Sequence, residues 1–145
     1  MDAWLLSWKQ AVNKVDPFMV LAEVLTKHHV DIIDLNQEQL DQGIKSTGDR
    51  LTDYSDIWAR IRKKKGLQVS NKDLKFTGKL RNKMYVSPYK MYTEIGSKDP
   101  KAGEVEDMNS NDIWSLTPEN MDKLLWERGV ADDFITLYTS KLIAA

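Results

Sequence analysis

A chain of 145 residues that is 41% hydrophobic and 30% charged, with seven Gly and four Pro, has the composition of a folded protein. It is long enough to bury one core and too short for two well-buried domains, so a single domain over residues 1–145 is expected. The lack of cysteine excludes disulfides, thiolate zinc sites and cysteine nucleophiles; no apolar run approaches the roughly 18 residues that cross a bilayer, and without a basic leader a cytosolic protein with no membrane partner is expected.

The net charge of −1 hides a strong asymmetry. Residues 60–90 hold eleven of the 21 basic side chains against one acid, Asp73, so that stretch carries +10 and the remainder −11. Such polarity steers encounters with phosphates, with acidic proteins or with other copies of the chain.

Trp4, Leu5, Trp8, Ala11, Val12 and Val15 fall on one stripe of an amphipathic helix. Asp16 as N-cap and Pro17 at the first helical position start a second helix carrying Phe18, Leu21, Ala22, Leu25 and His29, and the two make a helical N-terminal segment over 1–34. "VDIID" fits either a helix end or a short strand. The polar stretch that follows, with Gly43 and Gly48, reads as an extended arm over 35–55.

"SDIWARIRKKKG" predicts a short helix capped by Ser55 or Asp56 and stopped by Gly66, with cations in its last turn where they meet the negative end of the helix dipole. Thr77 is placed to cap a second short helix through Leu80, Arg81 and Met84, with Gly78 allowing a tight turn and Leu74 and Phe76 leading in. "MYVSPYKMYTEIG" alternates as two strands around a Ser-Pro turn, completing a basic helix, turn and hairpin unit over 56–98. "SKDPKAGEVED" reads as loop with one helical turn, and "NSNDIWSL" as an irregular link. Thr117, Pro118 and Glu119 form a strong helix start, and a last amphipathic helix follows Gly129, making C-terminal helices over 113–145. The fold class expected is α+β, with N- and C-terminal amphipathic helices packed on a small antiparallel sheet.

Candidate chemistry is sparse. His28 and His29 are adjacent, about 100° apart on a helix, and cannot form the i, i+4 pair that chelates a metal; a site with Asp31 and Asp34 is a minor alternative. No phosphate loop, nucleophile elbow or zinc-binding histidine motif occurs, and no spacing singles out an acid/base pair of carboxylates, so a non-enzymatic protein without cofactor or metal is expected. The surface-contact candidates are Arg62, Lys63, Lys64, Lys65, Lys75, Lys79, Arg81 and Lys83, facing either a protein partner or a polyanion. Interleaved aromatics (Trp58, Phe76, Tyr85, Tyr89, Tyr92) keep nucleic-acid binding open as the rival reading.

The order of these elements, with the turn Thr77, Gly78, x, Leu80 and the block Gln37, Leu40, Gly43 followed by Tyr54 and Ser55, resembles phage and prophage tail-completion, or head–tail joining, virion proteins, especially those of Bacteroidetes-type phages. Where the family's turn ends in a small residue, this chain has Lys83. The resemblance implies an α+β subunit of a connector or ring at the virion neck, assembled in the bacterial host cytoplasm. Portal, adaptor, or tail tube or terminator proteins are its implied partners, with homo-oligomerisation and incidental DNA contact. A protein-interaction module unrelated to phage is the other alternative.

Overall fold

The computed structural model describes residues 3–75 and 77–145, with the backbone alone at position 111. Phe76 therefore lies outside the described residues. The chain has an α+β fold in which, among the described residues, helices dominate and the sheet has two strands.

Helix α1 (Ala3–Lys14) and helix α2 (Pro17–Lys27) are separated by a break at Val15 and Asp16, where Asp16 accepts a hydrogen bond from the Phe18 N–H at 2.9 Å and Pro17 opens α2. Helix α3 (His29–Asp41) follows almost without interruption, so "VDIID" is helical. This overturns the extended arm for residues 35–41: Leu35, Asn36, Gln39 and Leu40 are buried in a helix. The polar letters misled because two of them work inside the core. Asn36 Nδ2 donates to the carbonyls of Ile113 and Ser115, while Gln39 donates to Ser115 O and accepts from the Thr117 N–H. Gln39 thereby satisfies both ends of its amide and Asn36 its donor end, which offsets the penalty that keeps most polar groups outside; Asn36 Oδ1 is buried without a partner. Only residues 42–55 are irregular, and they too are held down, by the Ile44–Arg50 bridge and by buried Leu51.

Helix α4 (Asp56–Lys64) and the short helix α5 (Lys79–Asn82) come next. The cap of α5 is Gly78, at φ +77°, rather than Thr77, whose hydroxyl accepts from the Lys79 N–H at 3.4 Å. Strands β1 (Met84–Pro88) and β2 (Thr93–Ser97) pair antiparallel with Val86 opposite Ile95. Ser87 and Pro88 lie in β1, not in the turn; the chain reverses over 89–92, closed by the Tyr89 N–H to Tyr92 O bond at 2.7 Å. Pro88 is tolerated because it ends an edge strand.

Helix α6 (Ala102–Asn109) is longer than the single turn expected, and the link after it holds a 3-10 turn (Asn111–Ile113) followed by Trp114 and Leu116, with Ile113, Trp114 and Leu116 all buried. Thr117 caps α7 (Pro118–Asp122), which widens into a π-helical turn (Lys123–Glu127) before α8 (Val130–Ala144). Among the described residues the core has two clusters. Val24, Ile32, Leu35, Leu116, Leu124 and Val130 form one, and Leu40, Leu51, Ala102, Ile113 and Trp114 the other, with Ile95 packed against both. Among the described residues no helix is long and apolar enough to cross a membrane.

Candidate functional site

The basic segment divides into two populations. Arg62 is only 2% exposed, and Arg81 5%. Arg62 points inward from α4, donating through Nε to Gln68 O, through Nη1 to Lys75 O, and through Nη2 to both carboxylate oxygens of Asp73 at 3.0 and 3.1 Å. Its guanidinium lies over the Tyr54 ring, 4.4 Å from the centroid. Asp73 also accepts from Tyr54, from Gln68 and from the Lys75 N–H. Burial works to raise the Asp73 carboxyl, but the hydrogen bonds from Gln68, the Lys75 backbone and Tyr54, with the charge of Arg62, win and hold it below its ordinary value. Arg81 pairs with Asp41 at 2.7 Å and donates to Asp73 O. Both arginines are therefore corrected from surface contacts to buried struts. Their planar forks tie α4, α5 and the end of α3 to the loop at 68–75, a task that suits arginine rather than lysine.

The lysines of the segment remain outside. Lys63, Lys64 and Lys65 occupy the end of α4, and Lys75, Lys79 and Lys83 are exposed, with Lys83 Nζ 3.5 Å from Asp99. Between α4, residues 72–74 and 77–80, and α6 lies a cleft of about 550 Å³. Leu74, Leu80, Val105 and Met108 give it an apolar lining, with Trp58 at one wall and Thr77 and Gly78 at another. The turn residues Thr77, Gly78 and Leu80 thus stand at the cleft, where Leu80 also packs against the second core cluster.

Lys72, Lys79 and Lys101 stand on the cleft rim with Asp53, Asp99 and Glu104. Lys72 donates to Thr52 Oγ1, and burial pushes its ammonium below the ordinary lysine value. The acids match these lysines in number, and Arg62, the other cation of the lining, is held by Asp73. Met108, which lines the cleft, is 63% exposed. Sequence reading gave α6 a single turn and missed Met108 because "KAGEVEDMN" carries little apolar periodicity. The expected aromatic Tyr89 and Tyr92 stack on each other at the hairpin tip, with centroids 4.7 Å apart.

His28 sits between two carboxylates, with Nδ1 2.8 Å from Asp31 and Nε2 2.8 Å from Asp133. Burial disfavours its charged form, yet the hydrogen bonds to Asp133 and Asp31 outweigh this and raise the imidazole above its ordinary value. His29 turns its Nδ1 to Thr26 O instead, and Asp34 is exposed. Among the described residues no three His, Asp or Glu side chains are grouped to hold a metal ion.

In comparisons with protein-family models, with curated proteins and with solved structures, the chain has no significant match.

Proposed function

We propose that this chain is a non-enzymatic assembly protein, a head–tail joining or tail-completion component of a tailed phage or prophage virion, that docks a neighbouring protein through the α4–α6 cleft. One observation supports the docking role above others: Met108, 63% exposed, stands in a preformed cleft lined by Leu74, Leu80 and Val105 and edged by charges of both signs. Exposed apolar surface rimmed by polar and charged groups marks interaction sites. The neck of a virion enters through the sequence resemblance, which makes portal, adaptor and tail proteins the partners to look for.

The test is affinity capture of the tagged chain from phage-producing cells, with and without nuclease. Retrieval of portal, adaptor or tail proteins regardless of nuclease supports the reading. Retrieval of nucleic acid alone overturns it. The rival, nucleic-acid binding, is favoured by the exposed Lys63, Lys64, Lys75 and Lys79. It requires affinity that falls steeply and linearly in log–log form with salt, the mark of several phosphate contacts.

A further inference from the structure

We propose that the outer face of α4 seats the protein on an anionic phospholipid surface, with Ile57 and Ile61 entering the acyl boundary while Arg60, Lys63 and Lys64 meet lipid phosphates. Such seating goes beyond the docking role of the cleft and is independent of it, because none of these five residues lines the cleft.

Ile57 is 71% exposed and Ile61 36%, four residues apart and so on one side of the helix. Arg60 stands three residues after Ile57, and Lys64 three after Ile61, so a cation flanks each isoleucine. Arg62 points the other way, into its buried pair with Asp73, and ties α4 to the body of the protein with the outer face fixed. From Ile57 to Lys72 the chain has no acid. Asp56 stands in the first turn, at the opposite end from the lysines, Asp53 lies on the cleft rim, and Asp73 is committed to Arg62. Arg60, Lys63 and Lys64 are exposed and make no ion pair among the described residues. The helix dipole accounts for cations in the last turn, but neither for Arg60 nor for the exposed isoleucines beside them.

Three kinds of surface complement these cations, and they differ in what they do with the isoleucines. A nucleic acid takes up the cations through its phosphates and leaves Ile57 and Ile61 in water. An acidic protein would need an apolar face far larger than two isoleucines, since stable interfaces take about 800 Å² from each partner. A lipid surface needs no shape complementarity: aliphatic side chains enter the acyl boundary, lysine stems lie along it, and the charged heads stay with the phosphates. Crossing a bilayer takes a long apolar helix, which none of the described helices is, but lying in the headgroup plane does not. Helix α1 exposes a larger apolar stripe, Trp4, Leu5, Trp8 and Val12, but of its two lysines Lys14 donates to the Ala145 carbonyl, so charge does not select what covers it.

The experiment is co-sedimentation of the full chain with vesicles of phosphatidylcholine alone and of phosphatidylcholine mixed equally with phosphatidylglycerol. The wild type should bind the mixed vesicles about tenfold or more tighter than the neutral ones, and about tenfold or more tighter at about 0.05 M than at about 0.5 M salt. Ile57→Ser, and separately the double variant Lys63→Gln, Lys64→Gln, should each weaken binding to the mixed vesicles by about fivefold or more. These positions are exposed, so the fold should survive, as circular dichroism would verify. Trp8→Ser, on α1, should bind as the wild type does. A gel shift with a duplex oligonucleotide tests the rival partner. Duplex binding that the double lysine variant loses and Ile57→Ser keeps, without vesicle binding, would assign the face to nucleic acid and overturn the inference. So would equal binding to the two kinds of vesicle, no binding to either, an Ile57→Ser variant that binds as the wild type does, or a Trp8→Ser variant that no longer binds. Capture of neck proteins from cells is a separate readout, so the assembly reading and lipid seating can each fail while the other stands.

Discussion

Arg62 and Lys63 are neighbours in a run of cations, yet the structure gives them opposite environments. An arginine can be buried when its planar fork finds enough acceptors, and Arg62 finds Gln68 O, Lys75 O and the Asp73 carboxylate. Removing one partner of such a buried pair leaves the other uncompensated, so Arg62→Ala should cost about 3–5 kcal/mol, whereas Lys63→Ala should stay within about 0.5 kcal/mol. Urea unfolding of the two variants measures both, and equal small losses would mean that the Arg62–Asp73 pair is not the strut described. Gly43 offers a second contrast. It adopts φ +69°, and a Cβ there would lie 2.9 Å from Asn71 Nδ2 and 3.1 Å from Lys72 O; Gly66, at φ +70°, faces open space. Gly66→Ala should incur only the left-handed strain, about 1–2 kcal/mol. Gly43→Ala adds the collision with the 68–75 loop, so the same urea titration should show the larger loss, and loss of protection against hydrogen exchange in that loop.

At the scale of elements, His28 joins the α2–α3 junction to α8. Accepting carboxylates on both ring nitrogens are satisfied together only by the imidazolium, which donates from each. Because the folded-state pKa is raised, the stabilisation is complete below the unfolded value of about 6.5 and is lost as pH rises through the higher folded value. The wild type should therefore exceed His28→Gln in thermal midpoint most at about pH 6, with the gap closing toward about pH 9. A gap that widens with pH would contradict the clasp. The elements themselves were unequally legible. Caps at Asp16, Ser55 and Thr117 are local chemistry, and each N-cap stands where its residue type predicted. Buried amides are not local: Asn36 and Gln39 look like arm residues until the 113–117 link, more than 70 positions away, supplies their partners. The site was legible as a charge run, but which cations face inward depends on Asp41 and Asp73.

Across the whole molecule, α3 decides whether the chain behaves as one unit. Leu35 belongs to the cluster shared with α2 and α8, and Leu40, five residues later on the same helix, to the cluster shared with Ala102 and Trp114. A continuous helix transmits the loss of one cluster to the other, and Ile95 of β2 touches both. The side-chain amides of Asn36 and Gln39 lie between the two leucines and bind the same link, so neither cluster can open without exposing groups that the other holds. Leu35→Ala and Leu40→Ala should each cost about 2–5 kcal/mol, the range for emptying a buried leucine site. Both should shift a single calorimetric transition rather than split it, with the van't Hoff and calorimetric enthalpies remaining equal. If Leu40→Ala instead produced an early transition confined to the α4–α6 side, the cleft would belong to a separately melting unit, and amides of residues 56–109 would exchange ahead of those in α2 and α8.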